Sequence, residues 1–420
     1  MADDRPRHLA PEPPRARRGW RAWLLAALTA LAIGAASVAV WSQTTDAPVQ
    51  AAGQQDSPST SAPPSTTSTS TTTTLPPLRS AVLAFGGDVL IHQGVWEAAA
   101  TAEGHDFTPM LDPIAPLLAA ADLALCHLEV TLGRPGERLS GYPRFRAPAA
   151  LATDLAEAGF DGCSVASNHA LDHGEAGVTA TLDALDAAGL GHTGTARSPE
   201  EDRAARIYDA GGVAIGHLSY AYGFNGFQPP SGKEWLVDPI DPAGILEDAA
   251  ALRTAGAELV VVSLHWGNEY DHGVTPAQQE VADVLATAPG VVDLLVGHHA
   301  HVVQPISKVG ELWVVWGLGN LLSNNSPRCC TADATDGLVV TVAVGDREDR
   351  SGVEVRSITY TPTWNERSGY RVLPAAESVA SSVDDPALAD ALRASWERTH
   401  GHVQALNADG TLPLFPSALP

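Results

Sequence analysis

Basic residues are scarce in this chain of 420 residues, which carries 25 Lys and Arg against 49 Asp and Glu and has a formal net charge of −24. Aromatic residues are also few, at 6% of the chain. A nucleic-acid-binding surface needs a basic patch, commonly with interleaved aromatic side chains, because contacts to phosphate dominate its affinity. The sequence contains no such pattern, and we therefore exclude nucleic acid as a partner.

Cysteine is limited to four residues, which allow three fully paired connectivities or none. Cys126 and Cys163 fall in predicted buried strands, whereas Cys329 and Cys330 are neighbours in a predicted loop. The sequence does not choose among these arrangements, so buried free thiols and a loop disulfide both stay open.

Charge is absent from residues 22–41, a run just long enough to cross the ~30 Å hydrocarbon core of a bilayer. Residues 1–21 before it contain six arginines and three acidic residues, and the positive-inside rule places such a segment in the cytoplasm. We predict a single-pass protein of the cell membrane with an extracellular main domain. A cleaved signal peptide is the alternative, but its apolar region usually spans only ~7 to 15 residues, which favours an uncleaved anchor.

Three further segments follow the predicted transmembrane helix. Residues 42–78 are dominated by Ser, Thr and Pro and lack the apolar content to offset the entropy of ordering, so they read as an extended linker. Residues 79–365 carry the main domain. Residues 366–420 contain one or two amphipathic helical patterns and a polar end, and we predict a C-terminal helical extension and tail.

Short apolar runs alternate with alanine-rich amphipathic stretches from Ser80 onward, which is the pattern of an α/β domain. The predicted strands include AVLAF, DLALCHLEV, DGCSVAS, VAIGHLSY, ELVVVSLHW, VVDLLVG, LWVVWGLGN and GLVVTVAV. Polar residues stand at the ends of several of these strands. In open α/β sheets the loops beyond the strand carboxyl ends bind ligands, so we interpret these residues as one site.

The densest polar group is LLVGHHAHVVQP, in which an apolar strand runs into His298, His299 and His301. Neutral imidazole is the commonest protein metal ligand, which makes this stretch a candidate metal centre. Alternate residues of an extended segment face the same side, so His299 and His301 are the favoured ligands and His298 is the doubtful one. A polar turn with solvated histidines is the alternative.

Four other strand ends offer side chains that suit the same centre. They are Asp88 after the first strand, Glu129 two residues after His127, Asn168 in the sequence SVASNHALDHGEAG, and His265 at the end of ELVVVSLHW. Each has an ordinary structural alternative, such as a helix cap for Asp88 and Asn168, and we interpret His127 as a structural histidine. Together with His299 and His301 the set of oxygen and nitrogen ligands suits one or two divalent ions of Zn, Mn or Fe type.

A second pair in this region suits proton transfer. Asp172 lies three residues after His169 near the predicted start of a helix, so that one turn brings the two side chains together. The carboxylate can then hold the imidazole in one tautomer and support its protonated form, as a general acid requires. We interpret Gly317, Gly319 and Asn320 of WGLGNLLSNN as loop architecture.

The order of motifs resembles the bacterial capsule synthesis, or CapA, family associated with poly-gamma-glutamate capsules, which itself resembles the calcineurin-like metallophosphoesterases. The resemblance spans residues 82–322, through GGDVLI, HLEVTL, YPRFRAP, SVASNHALDHGEAG, HWGNEY, LLVGHHAHVVQPI and GLGNLL. It implies a four-layer αββα sandwich of the metallophosphatase type. The implied metal ligands are Asp88, Glu129, Asn168, His265, His299 and His301, and the implied catalytic pair is His169 with Asp172.

Two departures from the wider phosphoesterase pattern bear on the number of ions. That pattern begins with Asp-x-His, but position 90 is Leu, and Glu129 stands where a bridging aspartate is usual. The resemblance is therefore compatible with one strongly held ion or with two ions of unequal affinity.

Three functions remain open at this stage. The first is a metal-dependent hydrolase or transferase of capsule synthesis. The second is a non-catalytic scaffold that binds poly-gamma-glutamate, another cell-surface polymer or capsule-synthesis membrane subunits, although the acidic chain should repel a polyanion unless cations or arginines near residues 134–146 intervene. The third is a cell-surface metallophosphoesterase unrelated to capsule.

Overall fold

The chain divides into two units, Met1–Thr73 and Thr74–Pro420, and the computed structural model describes residues 76–382 and 384–418 of the second unit. The predicted basic segment 1–21, the predicted transmembrane helix 22–41 and nearly all of the predicted linker lie outside the described residues. Among the residues described, no helix combines the length and the apolar character needed to span a bilayer.

Two β-sheets form the centre of the domain. The first sheet has nine strands: β1 (Ser80–Leu90), β2 (Leu123–Leu128), β5 (Gly162–Ser164), β6 (Gly191–Thr193), β13 (Asn320–Ser323), β14 (Asp336–Asp346), β15 (Val353–Asn365), β16 (Val372–Pro374) and β17 (Leu414–Pro416). The second has six: β7 (Ile207–Ala210), β8 (Val213–Ala221), β9 (Leu259–His265), β10 (Leu294–His298), β11 (Ile306–Val309) and β12 (Leu312–Val315). A short separate pair consists of β3 (Thr131–Gly133) and β4 (Arg146–Pro148).

Ten α-helices accompany the strands in the described residues. They are α1 (Gln93–Ala98), α2 (Thr108–Leu111), α3 (Ala115–Ala119), α4 (Ala150–Glu157), α5 (Gly174–Ala187), α6 (Pro199–Asp202), α7 (Pro242–Thr254), α8 (Pro276–Ala286), α9 (Ala375–Ser381) and α10 (Pro386–Val403). Three 3-10 turns, Glu234–Leu236, Ala332–Thr335 and Gln404–Leu406, connect other elements.

Parallel strands dominate the part of each sheet that carries the polar residues. The first sheet has the order β16-β15-β14-β1-β2-β5-β6, with β13 also beside β1, and β1 runs parallel to β2 and β13. The second has the order β11-β12-β10-β9-β8-β7, and β8, β9, β10 and β12 are parallel. The carboxyl ends of these strands therefore meet at one edge of each sheet.

Alternating side chains place the cores on both faces of each sheet. In β1, Leu83 and Phe85 pack between the sheets, whereas Ala84 faces the helices of the outer layer. In β9, Val261 faces inward and Val260 faces α7 and α8. Successive residues of a strand point to opposite faces, so an unbroken apolar run is covered twice. The layers run helix, sheet, sheet, helix, and the prediction of a mixed α/β domain is confirmed.

Glycine ends three of the predicted helices. Gly159, Gly189 and Gly256 follow α4, α5 and α7 with φ values of 109°, 77° and 110°. Residues with a side chain rarely adopt such angles, which is why glycine commonly stands just beyond a helix.

The C-terminal segment 366–420 is more closely joined to the domain than a helical extension and tail. It contains the helices α9 and α10, but it also supplies β16 and β17, which pair with β15 on either side of these helices in the chain. Each of these strands has only three residues, too few for an alternating pattern to be read from the sequence.

The structure pairs all four cysteines. Cys126 and Cys163 lie opposite each other on β2 and β5 and form one disulfide, and the adjacent Cys329 and Cys330 form the other. This arrangement is one of those that the sequence left open.

A buried ion pair fixes α10 to β14. Arg398 donates two hydrogen bonds of 3.0 Å to the carboxylate of Asp336, and Ser395 donates a third of 2.8 Å. Burial raises the pKa of Asp336 to about 7 even though Arg398 opposes this shift. Because the folded-state pKa lies above the unfolded value, the contribution of this group to stability is greatest in acid and is lost as the pH rises toward 7.

We expect Arg398→Ala to lower the free energy of unfolding by about 2–3 kcal/mol at pH 8, because it leaves an ionised carboxylate buried without a cation. At pH 5 the loss should be smaller, since a protonated Asp336 needs no cation. Denaturant titrations at both pH values measure the difference. Arg393→Ala on the same helix removes only an exposed pair with Asp390 and should change stability by less than ~1 kcal/mol at either pH. Equal losses for Arg398→Ala at the two pH values would contradict the assignment.

Candidate metal centre

The polar residues singled out in the sequence lie together where the carboxyl ends of strands from both sheets meet. Asp88 lies within β1 near its end, Glu129 and Asn168 follow β2 and β5, and strands β9 and β10 end in His265 and His298. All these side chains are buried. A cluster of this polarity without access to water needs an internal arrangement of opposite charges or of hydrogen bonds.

Asp88 stands between two histidines. Its Oδ1 lies 3.1 Å from Nδ1 of His298, and its Oδ2 lies 3.2 Å from Nδ1 of His301. The backbone N–H of His299 also donates to Oδ2 at 3.1 Å. Burial alone would raise the pKa of Asp88, but the hydrogen bonds from His298 and His301 outweigh burial and lower it. Asp88 is therefore an ionised carboxylate with one oxygen facing His298 and the other facing His301.

Glu129 has no hydrogen-bond donor in the structure. Both of its carboxylate oxygens are buried and unpaired, and Nε2 of His301 and Nε2 of His265 lie 3.6 Å and 3.9 Å from Oε1. Burial raises the pKa of Glu129 well above its ordinary value, and the nearby Asp88 raises it further. A carboxyl group in such a position is stabilised by a cation that its oxygens can contact directly.

His301 is aimed at Glu129 by its other ring nitrogen. Nδ1 of His301 lies 3.1 Å from Oδ1 of Asn320 as well as 3.2 Å from Asp88, and both of these oxygens accept. Nδ1 therefore carries the proton, which leaves Nε2 facing Glu129. Burial lowers the pKa of His301, but Glu129 and Asp88 outweigh it and raise the pKa to about 10. Asn320, interpreted from the sequence as loop architecture, thus orients a histidine of the centre.

The extended geometry predicted for His299 and His301 is wrong. Strand β10 ends at His298, and His299 and His301 have φ values of 85° and 56°, in the left-handed region that residues with a side chain rarely adopt. The two rings nevertheless come together, with centroids 5.9 Å apart. Such backbone conformations are costly and persist where the surrounding structure imposes them, often at functional sites.

His299 offers a nitrogen that nothing in the structure satisfies. Its Nδ1 is buried and has no hydrogen-bond partner. Burial lowers the pKa of His299 to about 3, and His301 adds to this effect. The ring packs 4.6 Å from the rings of both Tyr222 and His265. A neutral imidazole with a free nitrogen is available as a metal ligand.

His127, His265 and Asn168 form a hydrogen-bonded row behind these groups. Nε2 of His127 lies 3.0 Å from Nδ1 of His265, whose Nε2 lies 3.0 Å from Oδ1 of Asn168. Burial and the neighbouring imidazoles lower the pKa of both His127 and His265 well below the ordinary value. Both rings are therefore neutral, the form in which imidazole binds metal.

Two groups of three side chains have ligand atoms close enough to hold an ion. Asp88, His127 and His298 form the first, and Glu129, His299 and His301 form the second; within each group the ligand atoms lie within 4.8 Å of one another. The carboxylate of Asp88 touches both groups. The unpaired oxygens of Glu129 and the unpaired nitrogen of His299 fit bound divalent cations, and the residues present suit one or two ions.

Four of the six predicted ligands belong to these groups; of the other two, His265 contacts His127 and His299, and Asn168 contacts His265. His127, interpreted from the sequence as structural, and His298, interpreted as doubtful, also belong to these groups. Asp88 and His127 are neighbours in the register of β1 and β2, and His298 lies beside His265 in the register of β9 and β10. The order of the strands within each sheet, which no local sequence pattern shows, brings these side chains together. Which of the eight side chains bind metal stays a prediction.

His169 and Asp172 meet as their spacing predicts, with His169 Nδ1 2.8 Å from Asp172 Oδ2. The same oxygen accepts the backbone N–H of Phe145 at 2.5 Å, and the guanidinium of Arg144 donates to the carbonyl of Asp172. Asp172 is completely buried and His169 is 7% exposed. The carboxylate therefore fixes the ring so that its Nε2 is free to exchange a proton.

Two tyrosines, rather than Trp266, lie beside the histidines of the site. Trp266 donates its Nε1–H to the carbonyl of Trp316 and stacks on that ring, away from the histidines. Tyr222, which follows β8, packs on His265 and His299, and Tyr270 lies 6.0 Å from His301. Tyr222 is distant in sequence from every motif, so no local pattern predicts it.

Comparison with protein families identifies one match over the same region. The sequence model described as "Bacterial capsule synthesis protein PGA_cap" matches residues 82–325, more than half of the chain and all eight side chains of the centre.

Curated relatives carry related names. The protein is 26% identical over 249 residues to the PGA biosynthesis protein CapA of Bacillus subtilis, covering 57% of this chain and 62% of that protein. It is 28% identical over 169 residues to the capsule biosynthesis protein CapA of Bacillus anthracis, covering 40% and 41%. A probable polyglutamine synthesis accessory protein of Mycobacterium tuberculosis is 26% identical over 221 residues, covering 49% and 56%. The matched part thus spans less than two thirds of each of these relatives.

Solved structures show a looser likeness. The calcineurin-like phosphoesterase YfkN from Bacillus subtilis aligns with 76% of this chain and 100% of its own at 14% identity, with a TM-score of 0.43. A 5'-nucleotidase described as putative, from Staphylococcus aureus, aligns with 74% of this chain and 58% of its own at 15% identity, with a TM-score of 0.42. Similarity of this degree does not extend to any activity.

Gly297 is the residue that allows β10 to deliver its histidines. A Cβ at this position would stand 1.8 Å from the carbonyl oxygen of Trp316 and 2.6 Å from Nε1 of Trp266. We expect Gly297→Ala to force the two backbones apart and to lower the free energy of unfolding by about 1–3 kcal/mol, measured by denaturant titration. Gly401→Ala in α10, where a Cβ would meet nothing within 4 Å, should leave stability unchanged or raise it by up to ~1 kcal/mol. A Gly297→Ala protein as stable as the parent would refute the close approach.

Proposed function

Because the chain belongs to the bacterial capsule synthesis protein family, we propose that it serves capsule or poly-gamma-glutamate synthesis as a metal-dependent hydrolase or transferase. The proposal of a metal draws on the centre itself. The proposal of capsule or polyglutamate as the setting draws on the family and on the names of the matched relatives.

The observation that carries the proposal is Glu129, a buried carboxyl group with no donor for either oxygen. A structural glutamate at this depth would be expected to have a basic or amide partner. Its nearest neighbours are instead imidazole nitrogens at 3.6 and 3.9 Å, at the spacing of groups that share an ion. Asp88, His299 and His301 surround the same point, and their chemistry suits Mn, Zn or Fe.

A bound divalent ion supplies Lewis-acid polarisation of a phosphoryl or carbonyl oxygen and activation of water. The residues of the chain supply the rest. Asp88 contributes a permanent negative charge, and Asn320 holds His301 in one tautomer. Burial of the whole cluster excludes bulk water and strengthens each electrostatic interaction within it.

His169 is the proposed general acid. Asp172 accepts from Nδ1 of His169, which holds the ring in one orientation and directs Nε2 away from the carboxylate. The edge of His169 also packs against Phe145, with the ring centroids 4.6 Å apart, so that the ring has little freedom to turn. His169 can then protonate the group that leaves the substrate.

The setting of the domain is part of the proposal. Residues 22–41 would anchor the chain in the cell membrane, residues 42–78 would act as a tether, and the described domain would lie outside the cell. This rests on the charge asymmetry and on the apolar run of the sequence. The polymer and capsule-synthesis membrane subunits would be its partners.

We expect Asp88→Asn and His301→Asn each to reduce bound metal to less than half of the parent value, because each removes a ligand or the charge that balances the ion. Manganese content after dialysis against Mn, measured by atomic emission, tests this. His105→Asn removes a histidine outside the centre and should bind as much metal as the parent. Metal content unchanged in both centre variants would refute the metal proposal.

Asp172→Asn should separate metal binding from proton transfer. With its amide oxygen in place of Oδ2, an asparagine can still accept from Phe145 and from Nδ1 of His169, but it lacks the negative charge of the carboxylate beside the ring. We expect full metal content and turnover lowered by about 10²- to 10⁴-fold, measured on poly-gamma-glutamate, phosphomonoesters and phosphodiesters.

Two outcomes with this set of substrates would favour a different function. Retention of poly-gamma-glutamate without product by the metal-loaded parent would indicate a polymer-binding scaffold. Turnover of phosphoesters with none of the polymer would indicate a phosphoesterase unrelated to capsule.

A further inference from the structure

A third group of potential ligands lies outside the centre and includes a residue of the C-terminal helix α10. The distal cluster consists of His272, in the loop between β9 and α8, Asp333, in the 3-10 turn Ala332–Thr335, and His402, in the last turn of α10. Asp333 and His402 lie beyond residue 325, where the family match ends. The cluster is therefore a feature of this chain that the family assignment leaves unexplained.

The three side chains are close together and only half-buried. Nε2 of His272 lies 3.1 Å from Oδ2 of Asp333, and the rings of His272 and His402 stack with centroids 3.5 Å apart and planes 4° from parallel. One ligand atom from each residue lies within 4.8 Å of the others. The cluster is thus compact enough for a single ion and is open to solvent for its entry.

The hydrogen bond of His272 to Val303 leaves two hydrogen-bond acceptors facing each other in the cluster. Nδ1 of His272 lies 2.7 Å from the carbonyl oxygen of Val303, and because a carbonyl can only accept, Nδ1 must carry a proton. In a neutral ring Nε2 then presents a lone pair to Oδ2 of Asp333, which also accepts. Two acceptors 3.1 Å apart repel each other unless a proton or a metal ion lies between them.

We propose that the distal cluster binds a zinc ion through Nε2 of His272, a carboxylate oxygen of Asp333 and a ring nitrogen of His402. Two imidazoles and one carboxylate are a ligand set typical of zinc, with the fourth position left to water. In a tetrahedral zinc site with bonds of ~2.0–2.1 Å, neighbouring ligand atoms lie about 3.3 Å apart. The 3.1 Å between Nε2 of His272 and Oδ2 of Asp333 is close to this distance. His402 must tilt from the parallel stack to complete the set, and its half-buried position on the helix leaves room for this.

The surroundings of the cluster suit a cation site. Arg398 contacts Oδ1 of Asp333 at 3.2 Å and leaves Oδ2 to the cluster. Burial and the nearby His272 lower the pKa of His402, so this ring is neutral near pH 7. The carbonyl of Val303 holds the tautomer of His272, as an outer hydrogen bond commonly does for a metal-binding histidine.

An ion here would tie α10 to the loops that position the main centre. The turn that carries Asp333 also supplies the carbonyl of Ala334, which accepts the side-chain N–H of Asn320 at 2.9 Å. The other end of the same amide orients His301. The distal ion would thus stabilise the support of the centre without taking part in its chemistry, and the inference does not rest on the proposed activity.

Zinc stoichiometry in the full chain tests the proposal. Asp88→Asn combined with His301→Asn provides a background in which the main centre is weakened. In that background we expect one zinc per chain at micromolar zinc after dialysis, and loss of this equivalent on adding His402→Ala or His272→Ala. His400→Ala, which removes a histidine two residues away that pairs with Tyr360 instead, should retain it.

A second measurement covers the case in which a variant fails to fold. Anomalous scattering from zinc-soaked crystals of the parent should show a peak at bonding distance from His272 and His402. Absence of that peak, or the same stoichiometry with and without His402, would overturn the proposal and assign the 3.1 Å contact to a protonated His272. Absence of an anomalous peak at the main centre alone would count against the proposed function but would not contradict the distal site.

Discussion

Two carboxyl groups, Asp88 and Glu129, lie at the meeting point of the two sheets with 0% and 1% of their surface exposed, among five imidazole rings. Their charges have to be balanced inside the protein, because water does not reach them. Protons can balance them in part: Asp88 takes two imidazole N–H donors, and His301 has its pKa raised to about 10 between the two acids. The oxygens of Glu129 still have no donor. The divalent cation that we propose would balance the remaining charge at the point where protons do not, and His301 would release a proton to bind it.

The backbone is shaped to bring these groups together. Gly87 and Gly297 lie against the carbonyls of Gly319 and Trp316 so closely that a Cβ would stand at 2.3 and 1.8 Å. These approaches let β1, β10 and the segment leading to Asn320 converge from two sheets. His299 and His301 then follow in left-handed conformations, a local cost that is offset by the packing of two extensive cores. The site therefore keeps its geometry only while the two sheets remain stably packed.

The sequence predicts the fold better than it predicts the arrangement within the site. Unbroken apolar runs such as LVVVSLH identify buried strands, and a polar residue at the end of such a run is conspicuous, which is why Asp88, Glu129 and His265 could be singled out. Whether His298 or His299 faces a given ligand depends on φ angles after the strand and on which strand lies next to it. No local sequence pattern predicts these φ angles or the neighbouring strand. Tyr222 and Asn320 contact the centre from distant parts of the chain, and β16 and β17 are too short to leave a periodic signal.

The arginines of the loop at 134–146 bear on how an acidic protein could approach an anionic substrate. Arg134 pairs with Asp183, Arg146 lies 3.7 Å from Glu137, and Arg144 donates to the carbonyl of Asp172 while its guanidinium lies 5.1 Å from the ring centroid of Phe227. These three of the loop's four arginines are engaged within the domain, Arg138 is exposed, and the loop adds little positive potential to a chain of charge −24. The ions that we propose for the centre would attract an anion locally, over less than a Debye length of ~8–10 Å. Binding and turnover would then depend on the same ions, so a polymer-binding role without metal is the less favourable of the proposed functions on electrostatic grounds.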